Sequence, residues 1–214
     1  DVYKRQGKNA VQKPKMLFSD SEAYKCCNQI SPYLTDTPVT FIESRSTPLC
    51  AVPKMRFGSM PRDGGGFVLS VEERDELIQK EPLSAKWIKP YIGADEFLNN
   101  KKRFCLWLVD AEPGEISKCP TVRKRVEFVR QTRAASKAEG TRKFAETPTL
   151  FCQIAQPDSD YIIVPKTSSG RRRYIPLGFM DKDTIASDLV FLIPNAGLYE
   201  FGVLMLSLIH ISEP

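Results

Sequence analysis

Apolar residues in this chain come mostly in short runs between turn formers, and at helical spacing in only a few places. From residue 7 to residue 66, pieces such as Pro38-Val39-Thr40-Phe41-Ile42 lie between proline, serine, threonine and glycine, a pattern that predicts strands and loops. Asp63-Gly64-Gly65-Gly66 then leads into Phe67-Val68-Leu69. Ser70-Val71-Glu72-Glu73 predicts a capping box: the Ser70 hydroxyl can accept a free backbone N–H while Glu73 reaches back to the cap. The helix it opens should end by Pro82.

Trp87-Ile88-Lys89-Pro90-Tyr91-Ile92-Gly93 follows, then a short turn and a buried strand from Phe104 to Val109. From Lys118 to Lys143 the character changes, with nine Lys or Arg against two Glu and with Val122, Val126 and Val129 at helical spacing. This predicts one basic amphipathic helix closing near Gly140. The last third returns to strands. Asp160-Tyr161-Ile162-Ile163-Val164 is apolar and β-branched, Thr167-Ser168-Ser169-Gly170 is turn chemistry, and Arg171-Arg172-Arg173-Tyr174-Ile175 can return as the partner strand. Asp188 to Pro194 and Leu198 to Leu204 supply two further apolar pieces. The fold class expected is α+β, mixed and strand-rich, with few helices.

The termini change which residues that pattern should include. Asp1-Val2-Tyr3-Lys4-Arg5-Gln6 is what GAT GTG TAT AAG AGA CAG encodes, a sequence resembling a transposon mosaic end. Leu206 to Pro214 reads as the reverse complement of the same element running on into adapter. Residues 1–6 and 206–214 are therefore expected to be adapter-derived, and residues 7–205 to be the natural segment, one domain of a longer protein. His210, the only histidine, falls in the second stretch. Without it, a histidine general base, a Ser-His-Asp or Cys-His arrangement and imidazole metal ligation are excluded.

Composition narrows the class further. Hydrophobic residues make up 42% and charged residues 27%, which suits a chain that buries a core. No run is long enough to span a bilayer, and a cytoplasmic location is expected. The six cysteines form no Cys-x-x-Cys pair, so buried reduced thiols are expected rather than disulfides or zinc, with Cys105 as plain core. The net charge of +5 survives removal of both ends, since Lys+Arg falls from 31 to 29 and Asp+Glu from 26 to 24.

The obvious catalytic patterns do not match. A nucleotide-binding glycine turn opens a helix, whereas Gly64-Gly65-Gly66 precedes a strand and reads as a turn. Pro157-Asp158 lacks the acidic residue that a magnesium-dependent nuclease places before its lysine, and Ser31-Pro32-Tyr33 lacks the second proline of an amino-methyltransferase loop. No catalytic residue, metal site or cofactor is assigned to the chain itself. What remains is basic: Arg171 and Arg173, on one face of an alternating strand, could each donate two hydrogen bonds to a guanine. Lys166, Ser168, Ser169 and Arg172, together with Arg123, Lys124 and Arg130 of the basic helix, would meet phosphate. A solvated turn and a solvated helix face compete with this reading, and pattern alone leaves the choice open.

A succession of motifs carries a resemblance. Glu43-Ser44-Arg45-Ser46-x-Pro48-Leu49 is followed by Val52-Pro53-Lys54-Met55-Arg56-Phe57-Gly58-Ser59-Met60-Pro61-x-Asp63-Gly64-Gly65 and by Trp87-Ile88-x-Pro90-Tyr91-Ile92-Gly93-Ala94-x-Glu96-Phe97. Arg103 to Leu108, then Pro165-Lys166-Thr167-Ser168-Ser169-x-Arg171-Arg172-x-Tyr174-Ile175-Pro176-Leu177-Gly178-Phe179 and Tyr199-x-Phe201-Gly202-Val203-Leu204 complete it. Together these resemble the target recognition domain of the MmeI-like DNA methyltransferases of restriction-modification systems. The resemblance implies a parent that methylates adenine N6 with S-adenosylmethionine and carries a nuclease region that would use Mg2+. It also implies double-stranded DNA and an upstream methyltransferase domain of the same chain as partners, and a helical segment after Leu204. One departure matters: family members often carry an acidic residue after the paired serines, where this chain has Gly170. A carboxylate can accept from cytosine N4 and glycine cannot. The alternatives are a general nucleic-acid-binding or nuclease-associated domain without a methyltransferase partner, a free-standing nuclease, and a protein-interaction domain.

Overall fold

The computed structural model describes residues 15–18, 24–27, 30–31, 35, 37, 44, 47–48, 50–172 and 174–206. The chain divides into two units, residues 1–51 and residues 52–214. In the first, β1 (Lys15–Phe18) and β2 (Tyr24–Cys27) form an antiparallel hairpin in which Lys15 faces Cys27 and Phe18 faces Tyr24. The strand expected at Pro38 to Ile42 lies outside the described residues.

The second unit holds two four-stranded sheets. One has the order β4 (Val68–Leu69), β6 (Phe104–Leu106), β5 (Ile88–Ile92), β9 (Ile185–Ala186), antiparallel except for the β5–β9 pair. The other has the order β3 (Arg56–Phe57), β10 (Val190–Pro194), β7 (Tyr161–Pro165), β8 (Gly178–Met180), antiparallel throughout. The mixed α+β class expected from the apolar pattern is the one observed.

Each sheet has its own core. Phe67, Leu69, Leu77, Trp87, Leu106, Val122, Val129 and Phe151 pack over the first, and Tyr161, Ile163, Val190 and Leu192 over the second. Strand β9 links them: Ile185 belongs to the first core and its neighbour Ala186 to the second, as alternation along a strand requires. Gly58 passes so close to this strand that a Cβ there would collide with the carbonyls of Ala186 and Ser187. The Ser59 N–H donates to the Ala186 carbonyl at 2.7 Å.

Helix α1 (Val71–Lys80) carries the expected capping box: Glu73 N–H donates to Ser70 Oγ at 3.2 Å, and Ser70 N–H to Glu73 Oε2 at 3.0 Å. A 3₁₀ turn at Pro82–Trp87 follows. Residues 94–99 form helix α2 (Ala94–Asn99) where a turn was expected. Helix α3 (Pro113–Ile116) is a single turn. The segment expected as one basic helix divides into α4 (Pro120–Ala134) and α5 (Glu139–Lys143). Val122 and Val129 are buried and Val126 packs against them, so the predicted apolar stripe is real. The buried strand is shorter than expected, ending at Leu106. Leu198 to Leu204 is not a strand: it forms most of helix α6 (Leu198–Met205). No described helix is long and apolar enough to cross a membrane.

Not all of the cysteines are buried: Cys27, Cys105 and Cys119 are, whereas Cys26 and Cys50 are exposed. Burial pushes the Cys105 thiol well above its ordinary range, which keeps it protonated.

Candidate nucleic-acid interface

The loop from Lys166 to Leu177 joins the paired strands β7 and β8, whose register sets Ile162 opposite Phe179 and Ile163 opposite Gly178. The hairpin is as the sequence predicts, but its return strand begins at Gly178. Arg171 and Arg172 are therefore not part of that strand. The reason lies in local hydrogen bonding. Arg172 N–H donates to the Ser169 carbonyl at 3.1 Å and Arg171 N–H to Ser169 Oγ at 3.3 Å, closing a turn where strand pairing would have to start. Strand alternation consequently assigns no opposite faces to Arg171 and Arg172, and Arg173 lies outside the described residues.

Lys166, Ser168, Ser169, Arg171 and Arg172 are all exposed. Lys166, Ser168, Ser169 and Arg172 line one cavity of about 330 Å³, which Tyr174, Ile175 and the end of α6 also border. The Lys166 backbone is tied down through its N–H to the Leu189 carbonyl, at 3.3 Å. Its ammonium lies 4.2 Å from the centroid of the Phe57 ring and 6.0 Å from that of Phe191. Those two rings stack at 4.9 Å on neighbouring strands, where Phe191 and Phe57 are register partners.

Helix α4 presents the other basic group. Arg123, Lys124 and Arg130 are exposed there. Arg130 stands 3.8 Å from Glu127, whereas among the described residues Arg123 and Lys124 have no carboxylate partner. None of the three lines the loop cavity, so the two basic groups are separate features.

Residues 36–212 match the family model described as MmeI, target recognition domain. The chain belongs to that family. DNA methyltransferase A of Bacillus subtilis (strain 168) is 39% identical over 191 residues, which make up 89% of this chain and 22% of the relative. A solved chain of the type IIL restriction-modification enzyme MmeI in complex with DNA is similar with a TM-score of 0.74 and 40% identity, over 86% of this chain and 24% of that one. This target recognition domain thus spans under a quarter of the length of either protein.

Two residues of the domain have roles that their type alone concealed. Arg133, counted in the sequence among the basic helix residues, is fully buried. It donates to five carbonyls: Pro61 and Leu150 at 2.7 Å, and Arg62, Phe144 and Thr147 at 3.1 Å. A guanidinium has five N–H donors, so every one is used and none is left for a ligand. Phe57 is the second. It is 48% exposed yet stacked against Phe191 and overlain by Lys166, and the only signal for it in the sequence was its place in the Lys54-Met55-Arg56-Phe57 motif.

The glycine turn at residues 64–66 packs against the protein's own helix α4. Gly64 and Gly65 take left-handed φ values of 62° and 89°, forming the turn that their place before a strand predicts. A Cβ on Gly64 would meet Thr132 at 2.8 Å and one on Gly66 would meet Val129 at 2.6 Å, so the glycines make room for α4. Asp63 closes this turn by accepting from Gly65 and Phe67 N–H at 3.2 and 2.6 Å. Among the described residues no three His, Cys, Asp or Glu side chains are placed to hold a metal ion.

Proposed function

We propose that this domain selects the site at which a longer adenine-N6 DNA methyltransferase of a restriction-modification system acts, by reading base pairs of double-stranded DNA next to the adenine. One observation carries the reading: exposed Lys166, Ser168, Ser169, Arg171 and Arg172 are gathered on one hairpin loop, and among the described residues no carboxylate pairs with any of its cations. Cations left unpaired by their own protein are available to an anionic polymer, and hydroxyls beside them suit phosphate oxygens. In this reading Arg171 and Arg173 contact base edges, while Arg172, Lys166 and the two serines hold the backbone. Arg123, Lys124 and Arg130 add phosphate contacts from α4.

The chain contributes no reacting group of its own. S-adenosylmethionine would be bound, and the adenine extruded from the duplex, in the methyltransferase part that precedes this domain in the parent chain, and Mg2+ would serve a nuclease part. A cytoplasmic location accords with DNA as the substrate.

The test is made in the intact parent enzyme. Arg171→Ala and Arg173→Ala, singly and together, should change the set of adenines methylated, each bidentate contact being worth about 1–3 kcal/mol of base discrimination. Methylation maps that stay identical to the unmodified enzyme's after both changes would overturn the assignment of these residues. Arg172→Ala should instead weaken binding to all duplexes alike and reduce its salt dependence.

A further inference from the structure

We infer that Phe57 and Phe191 are positioning residues for DNA binding, holding the Lys166 ammonium ready for phosphate before DNA arrives. The inference rests on the proposed phosphate role of Lys166 and adds two residues from outside the loop. Lys166 follows the end of β7 by one residue, and its ammonium turns back over the aromatic pair on β3 and β10. The geometry is that of a cation held by a ring quadrupole. Such a seat differs from an ion pair in its consequence. A carboxylate partner would neutralise the charge and occupy N–H donors, whereas a ring face leaves the full charge and donors free to meet an anion.

The seat also bears on the cost of binding. An unheld lysine loses up to about 2 kcal/mol of side-chain freedom when fixed against a phosphate. Holding it beforehand moves part of that cost from association to folding. The rings are themselves fixed, because Phe57 and Phe191 are register partners on adjacent strands and stack at 4.9 Å. Gly58, the residue after Phe57, is locked against β9 by its close approach to Ala186 and Ser187.

The experiment uses the whole 214-residue chain, a mixed-sequence 30-base-pair duplex as probe, and binding measured across salt concentrations. Lys166→Gln should lower the slope of log affinity against log salt by about 0.9, the value for one phosphate contact. Phe57→Leu should weaken binding about two- to fivefold while leaving that slope unchanged, because the contact still forms in the complex. Phe57→Tyr, which keeps the ring face, should restore the affinity. In the Lys166→Gln background Phe57→Leu should cost nothing more. In the free chain, the upfield ring-current shift of the Lys166 ε-methylene protons should shrink in Phe57→Leu, where only the more distant Phe191 ring remains, and persist in Phe57→Tyr.

An unchanged slope in Lys166→Gln overturns the phosphate role of Lys166, and the inference falls with it. A lowered slope in Lys166→Gln, combined with an equal loss from Phe57→Leu in both backgrounds, overturns only the aromatic seat. Should Phe57→Leu fail to fold, Phe57→Tyr and the methylene shift in the unmodified chain decide: an unshifted methylene signal there overturns the seat.

Discussion

Arg133 and the arginines of the 166–177 loop are the same residue type in opposite circumstances. Arg133 sits inside the molecule with all five donors on carbonyls of its own chain, while Arg171 and Arg172 stand in solvent without a carboxylate partner among the described residues. Both contribute equally to net charge, yet only the loop pair adds to the field that DNA would meet at close range. Helix α4 shows the same division within one element. Arg125 is held by the Gly66 carbonyl at 3.1 Å and Glu73 at 2.8 Å, whereas among the described residues Arg123 and Lys124 have no carboxylate partner. Charge density along a sequence therefore overstates the binding surface by however many cations the fold has already used.

The largest expected effect follows from the buried arginine. Arg133→Met should destabilise the chain by about 3–5 kcal/mol, since it strands five inward-pointing carbonyls and each unsatisfied buried group costs about 1–3 kcal/mol before relaxation. Arg133→Lys, with three donors for five acceptors, should lose somewhat less. Denaturant unfolding measures both, and a loss below about 1 kcal/mol for Arg133→Met would break the contrast. Arg172→Ala should leave stability within about 0.5 kcal/mol of the unmodified chain, as exposed substitutions do, while altering DNA binding.

How much of this was legible in the sequence depends on whether the signal was local. The capping box at Ser70 to Glu73 and the glycine turn before Phe67 are written in adjacent residues and are found where expected, whereas the hairpin that follows β7 forms with its return strand at Gly178–Met180 and not at the arginines. Helices α2 and α6 were missed for a physical reason. Their caps use Gly93-Ala94-Asp95-Glu96 and Gly197-Leu198-Tyr199-Glu200, in which the glutamate reaches back to the glycine N–H at 2.8 Å in both cases. Half a capping box thus opens a helix without Ser or Thr at the cap, and the Gly-x-x-Glu spacing was the signal available. Arg171 and Arg172 differ from the expected strand because strand propensity overlooks the serine turn before them. Arg133 lay beyond local reading altogether, because its five acceptors are spread from residue 61 to residue 150.

A smaller effect is expected at Gly170, where a Cβ would meet nothing within 4 Å. Gly170→Glu should be accepted without unfolding and should put an acceptor beside the loop arginines. In the parent, the expected result is a shift at one position of the methylated site towards a pair that presents a cytosine N4 donor. A methylation map that does not change would show that residue 170 stands away from the bases, and would sharpen the contrast by confining base contact to the arginines.

The smallest effect comes from the charge network that joins α1 to α4. Hydrogen bonds from the Ser70 N–H and then from Arg125 hold the Glu73 carboxyl below its ordinary 4.5. A group whose pKa falls on folding adds stability above its unfolded value and loses it as pH drops through the folded value. Glu73 is half-exposed, so after solvent screening its contribution should be only a few tenths of a kcal/mol. Glu73→Gln should therefore be slightly less stable than the unmodified chain at pH 7, and the gap should close as pH falls below about 4.5. Asp95 and Asp183, lowered by hydrogen bonds from Lys101 and Lys89, titrate alike in both proteins and cancel in the comparison. A gap that persists unchanged to pH 3 would mean that Glu73 acts through its shape and capping contact rather than its charge. Arg125 would then move from the cations used by the fold to those still available for phosphate.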